Sequence, residues 1–355
     1  MSVPCTAALS QIGPESDVIV TSRVRLARNI AGFPFTSRAS AVIRQEILRV
    51  VQQAIERSPL GAASADAPTT LAWTDLLKTA AHTRTLLAER HLISRNFADG
   101  DAPRAVALSR DEHSSVMVNE EDHLRIQSLA AGGALSDAFD AAFAIEQALS
   151  ARLNFAFHPR WGFLTACPTN VGTGIRVSTM LHLPALKLSG EIDRVKRAAE
   201  DLHLAVRGYY GEGSESIGDF YQVSNQLTLG ASEESVRDDF SRKILPKLIG
   251  YERDAREAVL SHSRSSVEDK VFRATAILTS ARLLSANEAT KLLGAARFGV
   301  TCALVRVPLS TIQRLLLQVQ PAHLGLIDPR ASESEEAEKE VRATLVRQAM
   351  AVPAN

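Results

Sequence analysis

The sequence predicts an α+β fold, in which a mostly antiparallel sheet is flanked by helices and is followed by a helical C-terminal domain. Two observations carry this prediction. Strand-like segments, some paired as hairpins, are mixed with helical segments up to about residue 230, which favours an antiparallel sheet over a doubly wound parallel one. Beyond about residue 232, every apolar pattern has helical spacing.

The N-terminal elements follow from local patterns. Val18 and Val20 alternate at the start of a strand, and residues 40–57 carry apolar side chains at helical spacing. Residues 58–70, rich in Pro, Gly, Ser and Ala, read as a loop. The remaining expectations are a hairpin of 105–109 with 115–119, a helix over 139–153, and strands over 162–167, 202–208 and 220–230.

The C-terminal part has clear helix signals. Ser285 and Glu288 have capping-box spacing at the head of a helix over 286–298, and Pro308 and Pro321 bracket another helix. We therefore predict an N-terminal arm over 1–16, a mixed domain over 17–254 and a helical domain over 255–355.

Composition excludes several classes of protein. The 40 basic and 40 acidic residues balance, so no nucleic-acid partner is expected. Three cysteines, Cys5, Cys167 and Cys302, are too few and too scattered for a disulfide framework or a zinc site. The sequence shows no signal peptide and no run of about 18 apolar residues, so we expect a cytoplasmic protein without a membrane span.

An acidic run, Glu120 to Asp122, ends a strand-like segment and precedes Arg125. Alone, this run is compatible with a charged surface loop. Arg23 and Arg25, however, are two residues apart and share one face of a strand. Two more arginines, Arg176 and Arg207, stand at other strand ends or turns. Arginines on one face repel one another unless an anion neutralises them, and a nucleoside triphosphate with magnesium matches their forks.

Two glycine-containing segments accompany the arginines. Gly172 and Gly174 are expected in a strand-to-helix turn before a helix-like stretch, VSTMLHLPAL. Glycine there lets backbone amides approach a ligand, although plain turns carry such glycines too. The stretch RGYYGEGSES places Glu212 in a glycine-rich loop, where its carboxylate serves either a ligand or the turn.

Together these motifs resemble those of the phosphagen (guanidino) kinases. The matching stretches are TSRVRLARN, VNEEDHLRIQ, CPTNVGTG.R, VRGYYGEGSE and YQVSNQ.TLG, with a weaker match at VEDKVFR. The likeness is closest to the bacterial protein-arginine kinases. The first arginine motif begins near residue 21, which leaves no room for the helical N-terminal domain of the free-guanidino enzymes. A helical extension follows the last motif, and Met180 stands where the small-substrate enzymes usually carry histidine.

The resemblance implies a glutamine-synthetase-like catalytic domain that uses ATP and Mg²⁺ to phosphorylate arginine side chains of proteins. It implies that five arginines clamp the ATP phosphates: Arg23, Arg25, Arg125, Arg176 and Arg207. It places further residues beside the nucleotide: Thr21, Ser22, Val24, His91, Val177, Ser178, Thr179, Met180, Gly208, Tyr209, Tyr210, Gly211 and Glu212. Glu121 and Glu212 would hold the substrate guanidinium, with Glu121 as the base, and Cys167 and Asn225 would contact the same group.

The chemistry agrees with these roles. A guanidinium has a pKa above about 12 and no free lone pair, so two carboxylates are needed to orient one nitrogen and to take its proton. A thiolate at Cys167 would add negative charge beside the substrate. Non-functional alternatives stay open: Cys167 could be a small packing residue, and His91 could be a surface histidine.

By resemblance, the partners are protein substrates with exposed arginine, a McsA-like activator, a Clp ATPase and a second copy of the chain in a homodimer. Phosphorylation would mark proteins for Clp-type proteolysis or regulate a stress-response repressor. Two alternatives remain: a kinase for a free guanidino metabolite such as arginine, and an inactive homologue that acts as a binding module.

One departure from the family concerns regulation. The bacterial relatives commonly carry an R-D-x-x-R-A motif that senses phosphoarginine. The nearest stretch here is EKEVRA, in which only Arg342 and Ala343 fit and Glu338 replaces the first arginine with the opposite charge. We therefore predict that phosphoarginine-driven activation is weak or absent.

Overall fold

The computed structural model describes residues 7–61, 70–208 and 216–351. Its strands are β1 Ile19–Arg28, β2 Leu71–Asp75, β3 Ala105–Ser109, β4 Ser114–Val118, β5 Leu124–Ala131, β6 Phe157–His158, β7 Gly162–Phe163, β8 Ile175–His182, β9 Leu204–Gly208 and β10 Phe220–Asn225. Its N-terminal helices are α1 Ala7–Ser10, α2 Ala41–Glu56, α3 Ala81–Glu89, α4 Arg95–Asp99, α5 Leu135–Ser150, α6 Pro184–Leu188 and α7 Ile192–Asp201. Its C-terminal helices are α8 Glu233–Asp238, α9 Leu245–His262, α10 Arg264–Ser280, α11 Ala286–Thr301, α12 Leu309–Gln318, α13 Pro321–Ile327 and α14 Glu335–Met350.

Eight of these strands form one sheet in the order β2-β3-β4-β5-β1-β8-β10-β9, and every neighbouring pair is antiparallel. This arrangement confirms the predicted α+β fold and the hairpin of β3 with β4. The central strand β1 pairs with β5 on one side and β8 on the other. Its register sets Arg25 opposite Arg176, and Ala27 opposite Arg125. Motifs that are far apart in sequence therefore meet at the middle of the sheet.

The two faces of the sheet differ because side chains alternate along each strand. On one face, Val24 and Leu26 of β1 and Val177 of β8 join the main apolar core. Helices α2 and α5 cover this face, with side chains such as Ile47 and Ala142 fully buried. The intervening residues, which include the predicted clamp arginines, lie on the opposite face.

The C-terminal helices pack on the sheet through a second apolar core. Val20, Met180 and Phe220 of the strands join helix residues of this core, including Leu293 and Leu316. As predicted, the Ser285 hydroxyl caps α11, where its Oγ accepts the Glu288 N–H at 3.2 Å. Helix α9 runs unbroken through the expected boundary at 254 and 255, so the division into two domains stays a prediction.

Two local predictions were wrong. The segment 162–167 contributes only the two-residue β7, and VSTMLHLPAL forms most of strand β8 followed by α6. Strands β2 and β5 were not predicted. Nearly every residue of β8 is buried, so the strand lacks the alternation of apolar and polar residues by which a half-exposed strand is recognised.

Two further observations complete the fold. In the arm predicted over 1–16, helix α1 lies against α12 and β5, and its Ala8 is fully buried. No helix in the described part of the chain is long and apolar enough to cross a bilayer.

Candidate active site

A cavity of about 670 Å³ opens over the polar face of the sheet. Six of the sequence-predicted site residues line it: Arg25, Glu121, Arg125, Cys167, Arg176 and Arg207. They come from four separate sequence motifs, and the antiparallel register brings them to one place. The cavity is also lined by residues that the sequence reasoning missed, among them Arg44, Ser94, Asn119 and Glu120.

The arginines on this face repel one another. Burial, and then repulsion from Arg125, Arg176 and Arg207, lowers the pKa of Arg23 to about 10. Burial and the neighbouring guanidinium groups lower the pKa of Arg25 well below its ordinary value. Guanidinium groups stay protonated at neutral pH, so several positive charges lie close together on this face, and their mutual repulsion favours a multivalent anion.

Serine side chains on neighbouring strands orient two of the guanidinium groups. Arg176 donates from Nε and Nη2 to Ser224 Oγ, at 3.2 and 2.9 Å. The Arg23 Nε donates to Ser178 Oγ at 3.4 Å. These contacts hold the two guanidinium groups over the face of the sheet.

Arg125 is held by the acidic run. Its Nη1 donates to Glu120 Oε1 at 2.7 Å, and its Nη2 contacts Glu121 Oε2 at 3.4 Å. Glu120 is fixed in turn by the Ser94 hydroxyl, which donates to Oε1 at 2.8 Å, and by the Glu121 N–H. The missed residue Glu120 therefore positions Arg125, while Glu121 remains 44% exposed at the cavity wall.

Burial raises the pKa of Glu121, and the negative charges of Asp122 and Glu120 raise it further, whereas Arg125 lowers it. A carboxylate with a raised pKa is a stronger base than an ordinary surface glutamate. Glu121 thus has the location and the basicity that a proton acceptor needs.

Asp122 joins the acidic run to the loop that carries Cys167. Its Oδ1 accepts from Asn29 Nδ2 at 2.6 Å and from the Ala166 N–H at 2.7 Å. Asn29 Oδ1 accepts the His123 N–H at 2.9 Å. These buried bonds set the position of Glu121 relative to Cys167. Asn29 and Asp122 lie within two of the sequence motifs, but no role was predicted for either residue.

His123 is a buried structural residue. Its Nδ1 accepts the Ile30 N–H at 3.0 Å, so the proton is on Nε2, which donates to Pro34 O at 2.8 Å. Burial lowers the pKa of His123. This neutral ring holds the segment after β1 against the acidic turn.

Cys167 is half-buried, and its Sγ lies 3.0 Å from Thr169 Oγ1. The glycines that follow serve the packing of backbone on backbone. Gly172 and Gly174 have φ angles of +113° and +62°, and a Cβ at either would overlap the carbonyl of Thr228 or of Ala27. Close backbone contacts within the chain therefore explain why both positions are glycine. They lie in a loop that leads into β8, so the expected strand-to-helix turn was wrong.

His91 lies beside the arginine face. Burial, followed by repulsion from Arg23 and Arg95, lowers its pKa to about 4, so the ring is neutral at pH 7. Its backbone has a φ of +58°, and its carbonyl accepts from Gln127 Nε2 at 2.7 Å. Contact with the adenine or ribose stays a prediction.

Side chains alternate between the two faces of the sheet along β1 and β8, and this alternation places the other predicted nucleotide neighbours on different faces. Side chains of Thr21, Ser178 and Met180 share the arginine face, although Met180 packs into the second apolar core. The opposite face takes Ser22, Val24, Val177 and Thr179. Their side chains therefore point away from the arginine face, and the expected position of these four residues beside the nucleotide stays a prediction. Gly208 ends β9, next to Arg207.

The Asn225 side chain forms hydrogen bonds within the protein, and its predicted contact with the substrate stays a prediction. Its Oδ1 accepts the Val177 N–H at 2.7 Å, and its Nδ2 donates to Ile175 O and Leu227 O at 3.3 and 2.9 Å. The bonds to Val177 and Ile175 tie β10 to β8, and the bond to Leu227 holds the loop that follows β10. The predicted residues Tyr209, Tyr210, Gly211 and Glu212, like Cys5, lie outside the described part of the chain.

Comparison with known proteins gives a consistent result. Residues 52–255 match the family model for the C-terminal catalytic domain of ATP:guanido phosphotransferases, and residues 264–355 match that for the C-terminal domain of protein-arginine kinase McsB. The chain is 42% identical to a protein-arginine kinase of Moorella thermoacetica over 96% of its own length and 95% of the relative's. It is 39% identical to one of Geobacillus stearothermophilus, over 97% and 93%.

Solved structures show the same fold. A duplicated taurocyamine kinase of Schistosoma mansoni matches with a TM-score of 0.61 and 26% identity, over 71% of this chain and 36% of that one. A lombricine kinase matches with a TM-score of 0.59 and 23% identity, over 72% of both chains.

Proposed function

The chain belongs to the ATP:guanido phosphotransferase family and to its protein-arginine kinases, and we propose that the arginine-lined cavity is where it transfers the γ-phosphate of ATP to arginine side chains of proteins. One observation supports this assignment above others. Glu121 and Cys167 face the same cavity as Arg25, Arg125, and two further arginines of the clamp. Groups suited to a cationic acceptor thus adjoin groups suited to a polyphosphate donor.

The arginine face would bind ATP through its phosphates. Phosphoryl transfer depends mainly on alignment of the reactants and on neutralisation of charge at the transferred group. The guanidinium groups of Arg23, Arg25 and Arg176 already repel one another, and a bound triphosphate would relieve this repulsion. His91, neutral and close to Arg23, would lie against the adenine or ribose.

The acidic edge of the cavity would receive the substrate arginine. Glu121 orients the guanidinium and accepts a proton from the attacking nitrogen. A bond forms between that nitrogen and the γ-phosphorus as the bond to the ADP oxygen breaks. Glu212 would supply the second carboxylate, and Cys167 would add negative charge beside the guanidinium. General-base assistance of this kind is worth about a hundred- to ten-thousand-fold in rate.

Mg²⁺ would enter with the nucleotide. In the described ranges, no group of three or more His, Cys, Asp or Glu side chains gathers as a metal site. Glu120 and Glu121 already contact Arg125, so the phosphates themselves are the natural ligands, as is usual for this ion. Mg²⁺ supplies further neutralisation of the phosphate charge.

The biological setting that we propose follows the resemblance of the sequence motifs to the family. Substrates would be proteins with exposed arginine, marked for a Clp-type protease or regulated as stress-response repressors. A McsA-like activator, a Clp ATPase and a second copy of the chain are the proposed partners.

The direct test separates protein substrates from free guanidino compounds. The full chain is incubated with ATP, Mg²⁺ and either an arginine-rich protein or free arginine, and phosphorus NMR follows the formation of a phosphorus–nitrogen bond. We expect phosphoarginine on the protein and little on free arginine. Phosphorylation of free arginine alone would refute the proposal.

A second test addresses the residue outside the described ranges. Glu212→Ala should abolish transfer while ATP binding, measured by calorimetry, is retained. Turnover near the wild-type rate would show that the carboxylate role is misassigned.

A further inference from the structure

A second cavity, of about 430 Å³, lies beside the active-site loop. Its wall contains three large apolar side chains that are exposed to solvent. The exposed fractions are 57% for Phe157, 42% for Trp161 and 50% for Leu229. Exposed aromatic side chains grouped around a concave surface are typical of protein–protein contact sites. We name this cavity the aromatic groove.

The aromatic groove and the active-site cavity are separated by one short stretch of chain. Cys167, Thr169 and Asn170 line the active-site cavity, whereas Gly172 and Thr173 line the groove. The stretch from Asn170 to Gly172 spans at most about 7 Å. A polypeptide advances about 3.3–3.6 Å per residue when extended. A substrate whose arginine reaches Cys167 can therefore place a side chain within about four residues of that arginine in the groove.

The connecting stretch is fixed rather than loose. Thr228 Oγ1 lies 2.8 Å from both Thr169 O and Val171 O, which share its single hydroxyl proton. The Phe163 N–H donates to Gly172 O at 2.7 Å. Because of these bonds, the groove keeps a constant position relative to the active-site cavity, as a selective subsite requires.

The chemistry of the groove favours an apolar occupant. Phe157 packs edge-to-face on Phe163 with ring centroids 5.3 Å apart. The Arg160 guanidinium lies 4.6 Å from the Trp161 ring, and Glu233 stands elsewhere in the wall. Charges of both signs thus border an aromatic floor, so neither an acidic nor a basic side chain gains a net advantage there.

We propose that the aromatic groove is a substrate subsite, which binds an apolar side chain of the protein substrate within about four residues of the target arginine. The proposal rests on the proposed function, because it requires a polypeptide whose arginine occupies the neighbouring cavity. The closeness of the groove lining to that cavity favours the substrate over other occupants. A free guanidino compound is too small to reach the groove.

The test uses the full chain, ATP and a set of short peptides. Each peptide has one arginine with four positions on either side of it. In the reference peptide all of these positions are serine, and in each test peptide one of them is leucine. We expect leucine at one or two positions to raise kcat/KM on the order of tenfold over serine. Equal rates at every position would overturn the subsite. Failure to phosphorylate any peptide or any protein would refute the proposed function, and the subsite would fall with it.

Variants of the groove complete the test. Phe157→Ser and Trp161→Ser should remove the advantage of leucine but leave the rate on the all-serine peptide unchanged. Leu202→Ser, which changes an apolar side chain that is 60% exposed and outside both cavities, is the matched control and should retain the advantage. Persistence of the leucine preference in both groove variants would overturn the proposal. So would a change in oligomeric mass by light scattering without loss of the preference, because a second copy of the chain would then occupy the groove.

Discussion

Glu89 and His323 join the sheet region to the C-terminal helices through a buried hydrogen bond, in which His323 Nδ1 donates to Glu89 Oε2 at 2.8 Å. Glu89 also accepts the N–H groups of Ala322 and His323 in the first turn of α13, at 2.8 and 3.0 Å. The next residue, Arg90, donates from Nε to His323 Nε2 at 3.2 Å. His91, the predicted nucleotide neighbour, follows directly, so α13 helps to fix the segment that presents it.

We predict that Glu89→Ala and His323→Ala raise the KM for ATP several-fold and change the KM for a protein substrate less. Loss of these bonds frees the segment before His91 and destabilises the fold by about 1–3 kcal/mol. Steady-state kinetics and thermal unfolding measure the two effects. Glu268→Ala, which breaks an exposed pair with Arg264, is the control. A fall in stability with an unchanged KM for ATP would refute the coupling to the nucleotide site.

Arg125→Ala should slow transfer on the order of 100- to 1000-fold, because a fixed positive group beside the γ-phosphate is lost. Arg125→Lys should restore only part of the rate, since an ammonium cannot grip phosphate oxygens two at a time. Single-turnover phosphorylation and nucleotide titration separate the loss of chemistry from the loss of binding. Arg49→Ala, an exposed arginine on α2, is the control. Unchanged kinetics in Arg125→Ala would exclude Arg125 from the clamp.

Local sequence patterns were sufficient for the fold class and for identifying four arginines that line one cavity, because the arginine motifs are contiguous stretches with distinctive spacing. These patterns could not show which residues of β8 lie on the arginine face of the sheet. The burial of β8 on both sides removed the periodic signal, so nothing in the sequence separated Val177 and Thr179 from Ser178 on the other face, and the resemblance placed all three beside the nucleotide. The role of Glu120 was invisible for a different reason. It depends on Ser94, a residue that only the folded chain brings near.

Glu121 should give the reaction an acid limb above the ordinary glutamate pKa of 4.5, because burial raises its pKa. As pH falls through the raised pKa, the base becomes protonated and kcat/KM falls. Glu121→Gln should abolish transfer at every pH, and pH–rate profiles measure both effects. A wild-type profile that is flat through the acidic range would show that Glu121 is not the base.

The raised pKa of Glu121 also predicts that replacing this carboxylate by a neutral amide stabilises the fold at neutral pH. Because folding raises the pKa of Glu121, the fold favours its protonated form. The stabilising contribution of that form is present below the ordinary pKa and is lost as pH rises through the raised value. The neutral Glu121→Gln variant should therefore have a higher Tm than the wild type near pH 7 and an equal Tm in acid. Calorimetry at both pH values measures the difference, and a lower Tm of the variant near pH 7 would contradict the prediction.

Phosphoarginine should have little effect on this chain. Arg342 is buried, and its Nε and Nη1 donate to Val319 O and Leu284 O at 2.7 and 3.0 Å. Its Nη2 pairs with Glu338, so the guanidinium is occupied within the protein. We expect added phosphoarginine to leave the initial rate unchanged and Arg342→Ala to lower the Tm. Arg273→Ala, on the exposed face of α10, should leave the Tm unchanged. Tight phosphoarginine binding that Arg342→Ala abolishes would contradict the prediction.

Asp122 offers a test of how the base and the Cys167 loop are held together. Both of its partners, Asn29 Nδ2 and the Ala166 N–H, donate to the same Oδ1 atom. An asparagine oxygen can accept both bonds, whereas alanine accepts neither. Asp122→Asn should therefore keep most of kcat, and Asp122→Ala should lose about 100-fold through misplacement of Glu121 relative to Cys167. The KM for ATP should change little in either variant, because the clamp arginines are untouched. Equal losses in the two variants would show that the charge of Asp122, and not its hydrogen bonds, is what the site requires.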